Sequence, residues 1–344
     1  MTITSGQLEG GAGTRVAVLG AGSWGTALAM QLVRAGTVPL LWDWDARHME
    51  AMRVAGRNEQ FLPDHPLPRS LILEPDLERA VRGAGEVIVV VPSHAFVGVI
   101  RQIAPWLKPG QGVSWACRGL EPGTGQFLHE PAQQLFGGSR PLAVITGPSF
   151  AIEEAADLPT AITVAGTEPA YCARIARLLH AGNFRAYTSD DMIGVEVGGA
   201  VKNVLAIAAG MSDGLGFGAN TRIALITRGL VELMRLGVAL GAKEETFMGL
   251  ACMGDLVLTC TDNLSRNRRM GLALASGMSI EEAKKEIQQV VEGVLAAEAV
   301  KEVADDLGIE MPICQQVYQI LYEGTSPREA VQALMGRELK PENL

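Results

Sequence analysis

A glycine-rich segment near the start of the chain places the strongest limit on its fold. Residues 15–19 have the apolar, β-branched character of a buried strand, residues 20–25 read GAGSWG, and an Ala/Leu-rich helical stretch follows. In a strand–turn–helix of this kind Gly20 permits a tight turn, Gly22 lets the backbone approach a pyrophosphate, and Gly25 lets the helix pack against the sheet. The pyrophosphate would lie at the helix N-terminus, where N–H groups favour an anion. The segment therefore predicts a dinucleotide-binding site.

Strand-like and helical segments alternate from residue 15 to about residue 190. Residues 86–92 are a continuous apolar run ended by proline, as expected for a strand that is buried on both faces. The other strand candidates are 38–42, 112–117, 142–146, 161–165 and 184–187. This alternation predicts right-handed βαβ units. We therefore expect an α/β N-terminal domain with a Rossmann-like, doubly wound and mostly parallel sheet.

After about residue 190 the strand-like pattern disappears. Residues 192–211 have the pattern of one long helix interrupted by glycines, and the segments 279–282 (SIEE) and 326–329 (SPRE) are capping boxes that begin further helices. We therefore expect an all-α C-terminal domain. The expected division is a flexible tail at 1–14, a dinucleotide-binding domain at 15–191, and a helical substrate-binding and catalytic domain at 192–344.

Composition and charge exclude several other classes of protein. The 38 acidic and 29 basic residues give a net charge of −9, which opposes binding to nucleic acid. No uninterrupted apolar run reaches the roughly 18 residues of a membrane span. The five cysteines are widely spaced and never form CxxC, as in a protein of the reducing cytoplasm, and the five histidines are not spaced like metal ligands. We expect a cytoplasmic protein that is not inserted in a membrane and has no metal.

The second half of the chain has polar residues in apolar surroundings. Lys202 and Asn203 lie in a nearly all-apolar helical segment, and Asp255 lies in another apolar stretch. Such a lysine either extends to solvent or lines a cleft, where a lowered pKa would suit proton transfer. The Ser-Arg-Asn sequence at 265–267 offers a hydroxyl, a guanidinium and an amide at a predicted helix start, which suits a phosphate ester. The alternative interpretation of this run is a solvated basic face.

An aspartate after the second predicted strand bears on the choice of cofactor. Asp43 follows the glycine-rich turn by about 20 residues, where an acidic side chain usually accepts a hydrogen bond from the ribose 2′-hydroxyl of NAD. A carboxylate there would repel the 2′-phosphate of NADP, although Arg47 is near enough in sequence to bind that phosphate. The alternative is that Asp43 caps the next turn. We expect NAD(H) or NADP(H) as cofactor, with a preference for NAD.

Six short motifs occur in the same order as in a known family. They are GAGSWG at 20–25, VPS at 91–93, RGLE at 118–121, TGPSFA at 146–151, GAVKN at 199–203, and GD at 254–255 followed by SRN at 265–267. Together they make the chain resemble the bacterial glycerol-3-phosphate dehydrogenase [NAD(P)+] family over residues 14–338. The resemblance implies interconversion of dihydroxyacetone phosphate and sn-glycerol 3-phosphate, mainly toward glycerol 3-phosphate for phospholipid synthesis. It also makes a homodimer the expected assembly.

The resemblance assigns roles to individual residues. Lys202 matches the family's catalytic lysine, which would act as general acid and base. The expected substrate contacts are Arg118, Gly147, Ser149, Lys202, Asn203, Asp255, Ser265, Arg266 and Asn267. With the glycine-rich turn and Asp43 included, the expected cofactor contacts are Gly20, Gly22, Ser23, Trp24, Gly25, Asp43, Trp44, Arg118, Ala151, Arg266, Val290 and Glu292.

Two sites depart from the family pattern. Arg118 stands where the family usually has lysine. Arginine keeps the positive charge but does not release a proton, so we expect it to act as an electrostatic clamp. Asp43 and Trp44 stand where relatives often have His or Arg suited to a 2′-phosphate. Two other functions stay open: a 3-hydroxyacid or ketopantoate-type reductase, which would recognise a carboxylate, and a protein that senses the dinucleotide without turnover.

Overall fold

Helices cover both faces of one large sheet in the first half of the chain, and helices alone form the second half. The computed structural model describes residues 14–121, 123–138 and 140–338, so nearly all of the tail expected at 1–14 lies outside the described residues. The strands β1 to β10 are Arg15–Leu19, Val38–Trp42, Arg57–Asn58, Leu62–Pro66, Ile72–Leu73, Glu86–Val89, Val113–Trp115, Leu142–Thr146, Thr160–Gly166 and Phe184–Ser189.

The helices number fifteen in the described part of the chain. In chain order, α1 to α15 are Ser23–Arg34, Ala46–Ala55, Leu77–Gly83, Ser93–Ile103, His129–Phe136, Ala151–Ala155, Pro169–Leu179, Met192–Gly214, Ala219–Ala239, Asp255–Thr261, Arg266–Ala275, Ile280–Ile287, Glu292–Asp306, Pro312–Tyr322 and Pro327–Met335. Two tight 3₁₀ segments, Ala104–Trp106 and Glu244–Met248, and one π-helical turn, Leu250–Gly254, complete the helical structure there.

The large sheet has eight strands in the order β10-β9-β8-β7-β6-β1-β2-β5. Neighbouring strands are parallel except β8 and β9, which are antiparallel. β1 lies between β2 and β6, so the strand order reverses at β1, and ligands of such sheets bind beyond the carboxyl ends of the strands at that point. The predicted doubly wound, mostly parallel sheet is confirmed. The hairpin of β3 and β4 and the short β5 were not predicted.

Both faces of the sheet are buried, which explains the continuous apolar strands. In β1, Val16 and Val18 join one hydrophobic core while Ala17 and Leu19 join the other, because successive side chains of a strand point to opposite faces. The core that contains Leu19 extends into the C-terminal helices through α8. The sheet and the helical part are therefore packed as one continuous body along that face.

Helix α8 is the core of the helical half and carries two of the predicted site residues. α8 and α11 approach so closely that a Cβ on Gly210 would lie 2.0 Å from the carbonyl oxygen of Arg268. Likewise, a Cβ on Gly271 would lie 2.1 Å from the carbonyl oxygen of Ile207. Only glycine permits this backbone-to-backbone contact. It brings the start of α11 beside the middle of α8.

By length and composition alone, α8 would also pass as a membrane-spanning helix, the single such helix among the described residues. Most of it is buried inside the protein, including Lys202 and Asn203. Its apolar character is therefore explained by its place in the core.

All five cysteines, Cys117, Cys172, Cys252, Cys260 and Cys314, are buried as free thiols. Burial raises the pKa of Cys260 to about 12 and also raises the pKa values of the other four. Two lie in the sheet half and three in the helical half, and none of them forms a disulfide.

Candidate functional site

The turn after β1 has the shape that a dinucleotide pyrophosphate needs. A Cβ on Gly25 would lie 1.9 Å from the carbonyl oxygen of Gly20, and a Cβ on Gly20 would lie 2.2 Å from that of Val90 at the end of β6. The turn is thus pressed against the first turn of α1 and against the neighbouring strand. Gly22 has no atom within 4 Å of its Cβ position, so that side of the turn is open. These residues fit a bound nicotinamide dinucleotide.

Asp43 is already engaged with the turn and with its own loop. Its Oδ2 accepts a hydrogen bond from the Ala21 N–H at 2.8 Å, and its Oδ1 accepts one from the Asp45 N–H at 3.1 Å. Asp45, not Asp43, is the N-cap of α2. Trp44 and Arg47 are exposed beside it. Asp43 therefore holds the turn in place while its partly exposed carboxylate still faces the region beyond β2.

The second candidate group centres on a buried lysine. Lys202 on α8 forms an ion pair with Asp255 at the start of α10, and both side chains are almost fully buried. The Lys202 Nζ also donates to the Thr259 hydroxyl at 3.3 Å, and that hydroxyl donates to the Asp255 carbonyl oxygen at 2.6 Å. Burial, and next the positive charge of Arg118, lower the pKa of Lys202 to about 8, while Asp255 opposes this shift. Such a group can donate and accept a proton near neutral pH.

The segment before Asp255 explains how this carboxylate reaches the lysine. The π-helical turn Leu250–Gly254 runs directly into α10 and packs against α8, where a Cβ on Gly198 would lie 2.9 Å from the carbonyl oxygen of Ala251. π-helical turns are rare and often occur at functional sites. Here the turn aims Asp255 at Lys202.

Arg118 joins the dinucleotide turn to the lysine. Its Nη2 donates to the Gly147 carbonyl oxygen at 2.8 Å and to the Ser149 hydroxyl at 3.0 Å. The same Nη2 lies 3.8 Å from the Asp255 Oδ2, and the guanidinium lies 5.8 Å from the centre of the Trp24 ring, within the range of a cation–π contact. The structure therefore brings these predicted residues together at the carboxyl edge of the sheet.

Arg266 and Glu292 lie next to this group. Arg266 is the first residue of α11, and its half-buried guanidinium has no hydrogen bond or ion pair within the described part of the chain. Glu292 at the start of α13 accepts hydrogen bonds from the Ser93 N–H at 3.3 Å and from the Ser93 hydroxyl at 2.7 Å. Burial raises the pKa of Glu292, and Ser93 and Arg266 oppose the rise. Glu292 thus links the helical half to the start of α4, which follows β6.

Several predicted site residues have structural partners instead of open positions. The Asn267 Nδ2 donates to the Asn203 Oδ1 at 2.9 Å, and the Asn267 Oδ1 accepts from the Gly293 N–H at 2.9 Å. Ser265 is the N-cap of α11, and its hydroxyl accepts from the Arg268 N–H at 3.2 Å. Asn203 and Asn267 therefore join α8, α11 and α13, while Ser265 stabilises the start of α11.

The remaining predicted residues lie at the start of a helix or just before one. Ser23 begins α1 and Ala151 begins α6, so both lie at helix starts on the sheet's carboxyl edge. Val290 is partly exposed just before α13. In the residues described, no three His, Cys, Asp or Glu side chains come together in a way that could hold a metal ion.

Two protein-family models match successive parts of the chain without overlap. The model described as NAD-dependent glycerol-3-phosphate dehydrogenase N-terminus matches residues 15–172, and the one described as NAD-dependent glycerol-3-phosphate dehydrogenase C-terminus matches residues 191–332. The chain belongs to the NAD-dependent glycerol-3-phosphate dehydrogenase family. This confirms the resemblance found in the sequence motifs.

Individual members of the glycerol-3-phosphate dehydrogenase family are similar over nearly the whole chain. The enzyme named glycerol-3-phosphate dehydrogenase [NAD(P)+] from Aeromonas salmonicida is 53% identical over 328 residues, which are 95% of this chain and 98% of the relative. That from Nitrosococcus oceani is 55% identical over 95% of each chain. The crystal structure of glycerol-3-phosphate dehydrogenase from Coxiella burnetii superposes with a TM-score of 0.91 at 46% identity, covering 94% of this chain and 99% of that one.

Three residues that shape this glycerol-3-phosphate dehydrogenase site were not predicted from the sequence. Thr259 contacts Lys202, and its position four residues after Asp255 on a helix was the available signal. Ser93 belongs to the VPS motif, but that motif alone does not indicate its contact with Glu292. Glu196 on α8 accepts from the Trp115 Nε1 at 2.8 Å and from the His129 N–H at 3.2 Å, which fixes α8 against the end of β7. Glu196 carried the same signal as Lys202, a charged residue in an apolar helix.

Proposed function

We propose that the chain reduces dihydroxyacetone phosphate to sn-glycerol 3-phosphate, with Lys202 as the general acid. The observation that carries the proposal is the buried group of Lys202, Asp255 and Thr259, which lies beside Arg118 at the same sheet edge as the dinucleotide turn. Membership of the glycerol-3-phosphate dehydrogenase family supports the assignment.

The charges of the site suit a ketone that carries a phosphate. Lys202 and Arg118 together contribute two positive charges against one negative charge on Asp255, so the pocket attracts an anion. We assign the substrate phosphate to Arg266, whose guanidinium has no hydrogen bond or ion pair among the described residues and lies at the N-terminus of α11. The Asn203–Asn267 pair and Ser265 keep that helix start at a fixed distance from Lys202.

Lys202 transfers the proton in this mechanism. The glycine-rich turn, Trp24 and Glu292 are the residues that would hold a nicotinamide dinucleotide, and that cofactor would supply the hydride when bound. The protonated Lys202 stabilises the negative charge that develops on the C2 oxygen and donates its proton there. In the reverse direction the neutral amine accepts the proton of the C2 hydroxyl. Asp255 and Thr259 keep the ammonium group aimed at that oxygen through their contacts with Nζ.

We assign Arg118 the role of an electrostatic clamp. An arginine does not deprotonate at the pH of the cell, so it cannot replace Lys202 as a proton donor. Its two hydrogen bonds to Gly147 and Ser149 keep its charge close to Asp255. That charge helps to hold the pKa of Lys202 near 8.

The pH dependence of the two directions should be opposite in sign. Because the pKa of Lys202 is lowered to about 8, the ammonium form that reduction needs is lost as the pH rises through about 8. We expect kcat for ketone reduction to be constant below that pH and to fall above it. We expect kcat for alcohol oxidation to rise through the same pH. Steady-state rates in both directions between about pH 6 and pH 10 check this, and parallel profiles would refute the role of Lys202.

We expect the protein to use NADH in preference to NADPH. The Asp43 carboxylate lies at the end of β2, where it would repel a 2′-phosphate, and we expect kcat/KM with NADH to exceed that with NADPH by about ten-fold or more. Asp43→Asn removes the charge and keeps the shape, so it should narrow this ratio. If kcat/KM with NADPH equals or exceeds kcat/KM with NADH in the unmodified protein, Arg47 decides the cofactor preference instead.

A single assay tests the proposed function. The purified protein is mixed with dihydroxyacetone phosphate, and oxidation of NADH and of NADPH is followed separately. Turnover with either supports the proposal. Tight cofactor binding without turnover would favour a dinucleotide sensor, and turnover of a 2-keto acid in place of dihydroxyacetone phosphate would favour a hydroxyacid-type reductase.

We also propose the cellular setting. Five unpaired thiols support the cytoplasm as the place of action, where reduction would supply glycerol 3-phosphate for phospholipid synthesis. A homodimer is the expected assembly.

We propose a domain boundary at 191/192, between the end of β10 at Ser189 and the start of α8 at Met192.

A further inference from the structure

One backbone group of the dinucleotide turn receives an unusual number of partners. The carbonyl oxygen of Ala21 lies 2.9 Å from the Asn58 Nδ2, 3.3 Å from the Thr26 Oγ1 and 3.3 Å from the His48 Nε2. Asn58 comes from the β3–β4 hairpin, far along the chain from the turn, and is fully buried. The motif GAGSWG gives no indication of this partner.

Both the amide nitrogen and the amide oxygen of the Asn58 side chain form hydrogen bonds within the protein. Its amide nitrogen also donates to the Thr26 hydroxyl at 2.9 Å, and its Oδ1 accepts from the Phe61 N–H at 3.2 Å within the hairpin. Thr26 on α1 is fully buried as well. Asn58 therefore ties three segments together: the hairpin, the glycine-rich turn and the first helix.

Peptide geometry connects this contact to the cofactor. The carbonyl of Ala21 and the N–H of Gly22 belong to one planar trans peptide, so they point in opposite directions. Because the carbonyl points inward to Asn58, the Gly22 N–H points outward. That N–H has no acceptor in the part of the chain that the structure describes, and the space beside Gly22 is open.

We propose that Asn58 is a positioning residue that orients the Ala21–Gly22 peptide, so that the Gly22 N–H is available to the cofactor pyrophosphate. The proposal rests on the proposed function only through the dinucleotide site. It assigns a task to the β3–β4 hairpin, which is otherwise remote from the catalytic group. Without the Asn58 amide, the peptide keeps two longer contacts to its carbonyl and gains freedom to rotate.

The test compares dissociation constants for NADH, ADP-ribose and adenosine. Asn58→Ala should raise the dissociation constants for NADH and ADP-ribose by about ten-fold to a hundred-fold, because the hydrogen bond from the Gly22 N–H to the charged pyrophosphate is lost or misaligned. Adenosine, which carries no phosphate, should bind as in the unmodified protein. KM for dihydroxyacetone phosphate and the pH profile of kcat should also stay unchanged.

Two further variants keep the test decisive. Thr26→Val keeps the shape of the side chain and removes its hydroxyl, so it should weaken the binding of ADP-ribose, but less than Asn58→Ala does. This variant tests the proposal on its own if Asn58→Ala does not fold. Asn183→Ala is the matched control, since the Asn183 Nδ2 donates to the carbonyl oxygen of Asp157 at 2.9 Å on the far edge of the sheet. It should leave all three constants unchanged.

The outcomes separate the proposal from the proposed function. A folded Asn58→Ala protein that binds ADP-ribose normally would overturn the proposal, as would an equal loss for adenosine and ADP-ribose. If Asn58→Ala does not fold, normal binding of ADP-ribose by the Thr26→Val protein would also overturn the proposal. An unmodified protein that binds NADH but does not reduce dihydroxyacetone phosphate would refute the function and leave the role of Asn58 intact.

Discussion

Lys202→Met is expected to lower kcat for ketone reduction by about a thousand-fold, because both the proton donor and the charge that stabilises the developing alkoxide are removed. Methionine has nearly the length of lysine and fills the same buried space. Asp255 keeps the positive charge of Arg118, whose Nη2 lies 3.8 Å from its Oδ2, so it is not left without a counter-ion. NADH binding should therefore stay near normal.

The measurement is a comparison of kcat with the dissociation constant of NADH and with the thermal midpoint. Lys243→Met is the matched control, because Lys243 is exposed and pairs only at the surface with Asp190, at 2.7 Å. It should leave kcat unchanged. Near-normal turnover by a folded Lys202→Met protein would show that another group supplies the proton.

Arg266→Ala is expected to raise KM for dihydroxyacetone phosphate by about a hundred-fold, the range expected for losing a charge-assisted, forked contact to a phosphate. The unphosphorylated ketone dihydroxyacetone should be affected much less, since it lacks the group that Arg266 binds. Steady-state kinetics with both ketones give the two ratios. Arg53→Ala, which removes an exposed guanidinium bonded only to Glu50, is the control.

Equal losses on both ketones would assign Arg266 a different role. The guanidinium also experiences the negative charge of Glu292, for which we propose a cofactor contact. In that case KM for NADH would rise as well, and the phosphate would have to bind elsewhere, with Arg118 as another positive charge close enough to act on Arg266.

Much of the architecture could be predicted because it depends on local patterns. The alternation of apolar strands and helices, and the glycine-rich turn after β1, specify a doubly wound sheet without knowledge of distant contacts. The capping boxes that begin at Ser279 and Ser326 likewise form as predicted, since each involves residues only three apart. The β3–β4 hairpin escaped prediction because β3 has two residues and β4 is largely exposed and rich in proline.

Side-chain partners across long sequence separations could not be predicted. A lysine and an aspartate in apolar segments pointed to Lys202 and Asp255, but nothing local shows that they meet. The pairing of Asn203 with Asn267 depends on the glycine contacts between α8 and α11, which only the fold reveals. The link of Asp43 to Ala21, which competes with its expected contact to the ribose, depends in the same way on how the turn lies over β2.

The five buried thiols make the resistance of this protein to oxidation a property of its stability. A thiol reacts as the thiolate, and burial both raises the thiol pKa and blocks access, so the native state offers almost no reactive cysteine to an oxidant or an alkylating reagent. Damage must then pass through transient opening of the fold, and its rate is set by the free energy of that opening. Cys117 after β7 and Cys314 on α14 belong to the same hydrophobic core, so both would report opening of that core. A bound dinucleotide, by stabilising the closed state, would protect sulfur atoms that it never touches.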